Sequence, residues 1–127
     1  MDLKEWTKHF IDARYIGANN PTAEGNLTAF EYNGARYRYV VSEHFPETIE
    51  DPKETRLFLV TLNTSQNALK MVKMFPALAE LTNLTIIFCN PNANQKWLIK
   101  PKVHAFVADK TSLKAGIMAL FETVPPV

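Results

Sequence analysis

An α/β fold, one domain with a mixed central sheet and helices packed on it, follows from three observations. Two short apolar runs, 56–62 and 84–89, have the near-continuous hydrophobicity of strands covered on both faces. Between them, 65–81 carries apolar residues at helical spacing, so the three segments form a βαβ unit whose strands are parallel. Upstream, two strand-like runs flank Asn33-Gly34, a strong signal for a tight antiparallel hairpin. A sheet that joins both kinds of pairing is mixed. The size agrees: 127 residues and 14.4 kDa suit a single domain over 1–127. Hydrophobic residues at 46% and charged residues at 21% are the balance of a folded chain that closes its core without disulfides or metal.

Each element has its own signature. Residues 2–15 place Leu3, Trp6, Phe10 and Ala13 at three- and four-residue spacing, with Asp2 as N-cap and Gly17 marking the end. Residues 17–21 read as a loop by composition. Residues 27–32 are strand-like, Asn33-Gly34 turns, and 37–41 returns with Tyr37, Tyr39 and Val41 on one face and Arg36, Arg38 and Val40 on the other. The polar stretch 43–56 holds two prolines and five carboxylates and reads as a loop. Strand 56–62 follows, then a cap signal at Asn63-Thr64-Ser65. In the helix 65–81, Pro76 is expected to kink or split the pattern. Strand 84–89, a turn at 90–94, strand 96–99, a sixth short strand at 103–107, and a helix at 112–123 complete the chain. Asp109 or Thr111 would cap that last helix, and Pro125-Pro126 would stop it. The predicted order is α-β-β-β-α-β-β-β-α.

Several function classes fall away. The lone Cys89 makes an intramolecular disulfide impossible and, with a charged N-terminus lacking a secretory core, predicts a reducing, cytoplasmic setting. The longest strongly apolar run, 84–89, is far short of a membrane span, so no membrane partner is expected. There is no P-loop, GxGxxG, HExxH, CxxC or GxSxG motif. His9, His44 and His104 are far apart and show no ligand spacing, so neither metal nor cofactor is expected. Glu43 and His44 are adjacent and would point to opposite faces of a strand, so they make no acid–base pair. Cys89 on its apolar strand reads as a small buried hydrophobe.

The net charge of +1 hides an asymmetry. Residues 1–63 sum to −3 and residues 64–127 to +4, with much of the acidic surplus in 43–54. The C-terminal basic set is Lys70, Lys73, Lys96, Lys100, Lys102, Lys110 and Lys114. Lys70 and Lys73 share a helix face, and Lys100 and Lys102 flank Pro101. With Arg36 and Arg38, and with Trp97 as a stacking residue, they make a candidate nucleic-acid surface: Arg36, Arg38, Lys70, Lys73, Lys96, Trp97, Lys100 and Lys102. Lysines contact phosphate as point charges, so such binding would be weakly sequence-specific and salt-dependent. The alternative for these lysines is a solvated surface. For the aromatic set Phe30, Tyr32, Tyr37 and Tyr39, stacking on bases competes with packing under a helix.

The element order resembles the core of the restriction-endonuclease-like, or PD-(D/E)xK, nuclease superfamily. In that family the third strand carries an acid, an apolar residue and a lysine before the middle helix, for Mg²⁺ and the attacking water. Here that place holds Thr61-Leu62-Asn63, which supplies neither carboxylate nor lysine. The resemblance therefore implies a degenerate, non-catalytic member, with no catalytic residue to assign.

The sequence reading is a small intracellular, non-enzymatic protein associated with nucleic acid or with a protein partner. Two alternatives stand beside it. One is a Mg²⁺-dependent nuclease or hydrolase using Glu43, Glu47, Glu50 or Asp51. The other is a homo-oligomeric assembly module, a homodimer through an exposed strand or helix.

Overall fold

The computed structural model describes residues 1–107 and 111–127. The fold is mixed α/β, with one six-stranded sheet in the order β1-β2-β3-β4-β5-β6. The elements are α1 (Leu3–Arg14), β1 (Asn19–Glu24), β2 (Leu27–Tyr32), β3 (Ala35–Val41), β4 (Arg56–Leu62), α2 (Ser65–Leu78), β5 (Leu84–Asn90), β6 (Gln95–Ile99), α3 (Pro101–Val107) and α4 (Leu113–Phe121). Strands β1 to β3 form an antiparallel meander. β3, β4 and β5 are parallel, and β6 returns antiparallel.

Side-chain alternation divides the core into two. On one face Leu57, Leu59, Leu84, Ile86, Phe88, Trp97 and Ile99 pack against Ala68, Met71, Phe75 and Leu78 of α2 and Ile117 of α4. On the other, Tyr37, Tyr39, Val41, Val60, Ile87 and Cys89 pack against Leu3, Trp6 and Ile11 of α1. The molecule is thus three layers deep, and β5 is buried along its whole length, as its apolar run predicts. α1 starts on Asp2, whose side chain accepts from Glu5 N–H at 2.8 Å. α2 starts on Thr64, whose hydroxyl accepts from Asn67 N–H at 3.1 Å. Asn33 and Gly34 have φ of 50° and 80°, the left-handed pair a type I′ hairpin turn requires.

Four expectations are corrected. Residues 17–21 are not simply a loop: β1 begins at Asn19, with a register irregularity between Asn19 and Thr22 that accommodates Pro21. Every residue of β1 is exposed, so it carries no apolar alternation to read. Pro76 does not split α2. It sits in the last turn, and the helix ends soon after, at Leu78. The stretch 103–107 is a helix, not a strand. Pro101 occupies the first position of α3, where a missing N–H costs nothing, and His104 N–H bonds Lys100 C=O at 2.9 Å. The last helix runs 113–121, with Ser112 rather than Thr111 at its N-cap. The capping role suggested for Asp109 lies outside the described residues. The observed order is α-β-β-β-β-α-β-β-α-α.

Candidate nucleic-acid interface

In open α/β sheets, ligands commonly sit beyond the C-terminal ends of parallel strands. Here that end is filled by the protein itself. Asn63 is fully buried. Its side-chain oxygen accepts Trp97 Nε1–H at 2.8 Å, and its amide donates to the carbonyls of Val124 at 3.0 Å and Phe121 at 3.2 Å. Asn90 donates to Pro125 C=O at 2.9 Å. Asn67 accepts Phe45 N–H at 2.8 Å and donates to Glu43 C=O, Leu62 C=O and the Thr61 hydroxyl. Thr61 and Asn63, where the nuclease-like motif would stand, thus belong to a satisfied polar network. The carboxylates of 43–54 do not converge either. Among the described residues no three His, Cys, Asp or Glu side chains are grouped to hold a metal.

The open site lies at the opposite end, on the α1 face. Because α1 runs toward the N-terminal ends of β4 and β5 and stops there, it leaves that corner of the sheet uncovered. The result is a cleft of about 890 Å³. Four cations line it: Arg14 from the last turn of α1, Arg56 from the start of β4, and Lys100 and Lys102 from either side of Pro101. No carboxylate is among its described lining residues. Its aromatic wall includes the half-buried Tyr32 and Phe58. Arg56 is already positioned: it donates to Tyr37 Oη at 2.7 Å, with its guanidinium carbon 5.4 Å from the Tyr37 ring centroid. Behind this wall Phe58 stacks on Tyr39 at 4.5 Å, and Tyr15 and Tyr39 share a 2.6 Å hydrogen bond between hydroxyls. Burial, then that hydrogen bond, drives the Tyr39 phenol behind the wall far above its ordinary range.

The predicted surface residues do not form one patch. Lys100 and Lys102 enter the cleft. Lys96 lies on the same sheet face, its Nζ 5.3 Å from the Phe10 ring centroid. Lys70 and Lys73 sit on α2, across the sheet, and face the acidic loop. Lys70 pairs with Glu47, and the hydrogen bond and charge of Lys70, with the charge of Lys73, hold the Glu47 carboxyl below its ordinary value. These two lysines are therefore already countered by the loop charge. Arg36 and Arg38 point to the α2 side of β3, away from the cleft. Trp97 as an exposed stacking residue is corrected: it is 6% exposed, stacked on Phe88 at 4.2 Å and bonded to Asn63. Its position opposite Phe88 in the β5–β6 pairing turns it into the α2-side core. Lys110 lies outside the described residues, and Lys114 is exposed on α4.

Sequence reasoning missed Arg14, Arg56, Tyr32 and Phe58 as a group. They come from three distant segments, and only the α1 crossing brings them together. The available signal was Arg56 at the head of an otherwise apolar strand, two residues before Phe58. Of the hairpin aromatics, Phe30, Tyr37 and Tyr39 are buried under α1, the packing alternative.

No helix among the described residues is long and apolar enough to cross a membrane. In comparisons with known proteins, the chain matches no family model and no curated sequence at a significant level.

Proposed function

We propose that the protein binds single-stranded nucleic acid without catalysis, through the cleft at the end of α1. The observation that carries this reading is the make-up of the cleft: four cations, aromatic side chains and, among the described residues, no carboxylate around one opening. Phosphates need point charges and guanidinium forks, and unpaired bases need a π-face or apolar platform. A duplex presents its bases edge-on, so the aromatic wall favours unpaired strands. Four lysine or arginine positions on backbone phosphate and a stacking wall give weak sequence preference. The reading is compatible with the non-catalytic, nuclease-like resemblance and does not depend on it.

Titration of labelled single-stranded DNA and RNA at 50 and 300 mM salt tests the proposal. Binding is expected at low salt, with log Kd rising by about 0.7 per phosphate contact per decade of salt. The double variant Lys100→Gln/Lys102→Gln is expected to lower that slope by about 1.4. Phe58→Leu is expected to weaken binding with the slope unchanged. No binding at either salt overturns the proposal. So does equal binding of a sulfated polysaccharide, which has the charge and lacks the bases.

A further inference from the structure

A second groove opens on the same face. It lies between one flank of α1, bearing Trp6, His9, Phe10 and Ala13, and the β5–β6 turn, and it ends at Lys96. Its volume is about 670 Å³, and among the described residues no carboxylate lines it. One ring links it to the cleft. Phe10 faces this groove, and its centroid lies 5.3 Å from Lys96 Nζ and 5.7 Å from Arg14 Cζ. Arg14 in turn lines the cleft. A cation–aromatic–cation bridge therefore runs along α1 from one opening to the other.

β6 supplies the facing wall. Alternation turns Trp97 and Ile99 into the α2-side core and leaves Lys96 and Leu98 on the α1 face, with Lys100 following them into the cleft. Leu98 is 47% exposed, an apolar platform between two lysines. The two walls match in length. Lys96 to Lys100 spans about 13 Å at ~3.3 Å per residue, and Trp6 to Arg14 spans about 12 Å at 1.5 Å per residue.

We propose that cleft and groove are one continuous track for a single strand of nucleic acid. Phosphates run over Lys96, Arg14 and Lys100, and bases rest against Leu98 and the wall at Phe58. This extension rests on the reading of the cleft given above. At ~3.4 Å per stacked nucleotide the shared wall takes about four nucleotides.

Oligothymidylates of 1, 2, 4, 8 and 12 nucleotides, titrated into the full chain and into Lys96→Gln, test it. Lys96 is exposed and lies outside the cleft, so the variant leaves the first site intact. Affinity is expected to climb up to four to eight nucleotides and then rise only by the statistical gain of extra registers. Lys96→Gln is expected to weaken the 8-mer about 3- to 10-fold, lower its salt slope by about 0.7, and leave the 2-mer unchanged. A 2-mer bound as tightly as the 8-mer, with Lys96→Gln silent on both, overturns the track and leaves the cleft reading standing. Failure of every length to bind removes the cleft reading, and the track with it.

Discussion

Asn63 is a fully buried polar junction in the core. Its N–H donates to Cys89 C=O, its own C=O accepts from Val127 N–H, and its side chain joins β6 through Trp97 to the segment after α4. Asn63→Ala leaves a buried indole N–H and two buried carbonyls without partners, each worth about 1–3 kcal/mol. A loss of about 2–4 kcal/mol is expected in urea unfolding, partly relieved if water enters the space. Nothing in the sequence marks this role. Asn63 reads there as a cap signal, because the partners of its side chain stand 34 to 61 residues away. The same distance hides the cleft residues. Cys89, by contrast, was legible: its place at the end of the apolar run 84–89 predicts a buried thiol, and it is 0% exposed. A thiol-reactive dye is expected to leave Cys89 unlabelled in the native protein at pH 8 and to label it fully in denaturant.

At the scale of elements, local signals succeeded where a side-chain pattern or a turn demanded them. The β2–β3 hairpin followed from Asn33-Gly34, and the βαβ unit from two apolar runs around an amphipathic helix. Gly34 has φ +80°, with open space where a Cβ would go, so Gly34→Ala pays only for backbone conformation. About 1 kcal/mol of destabilisation is expected, measurable as a lower Tm. The signals failed where burial is one-sided or absent. β1 is held by pairing with β2 alone and buries nothing, so its composition stays that of a loop. In α3, Val103 is 60% and Phe106 84% exposed, and the Val-His-Ala-Phe-Val run imitates strand alternation. Only the position of Pro101 argued for a helix.

Across the whole molecule, the charge imbalance of the sequence resolves into two faces rather than two halves. The acidic 43–54 loop lies on the α2 side and is met there by Lys70 and Lys73. The α1 side gathers Arg14, Arg56, Lys96, Lys100 and Lys102 from both halves of the chain. The same face buries two ionisable groups in neutral form. Desolvation by burial raises the Cys89 thiol from 9.0 to about 12, opposed in part by Lys96, and burial raises the Tyr39 phenol as well. Both values lie above those of the unfolded chain. Their stabilising contribution is therefore complete below about pH 9 and is lost as pH rises toward 12. Urea midpoints are expected to be flat from pH 7 to 8.5 and to fall above pH 9, with a smaller fall in Cys89→Ala. The buried Asn63, just after β4, also sets an order of events during synthesis. Asn63 leaves the ribosome 61 residues ahead of the Val124 carbonyl it requires. At about 5–20 residues per second that is a wait of roughly 3–12 s. Through that interval the end of β4 has to stay hydrated, so the sheet can seal at this edge only after the segment following α4 has emerged.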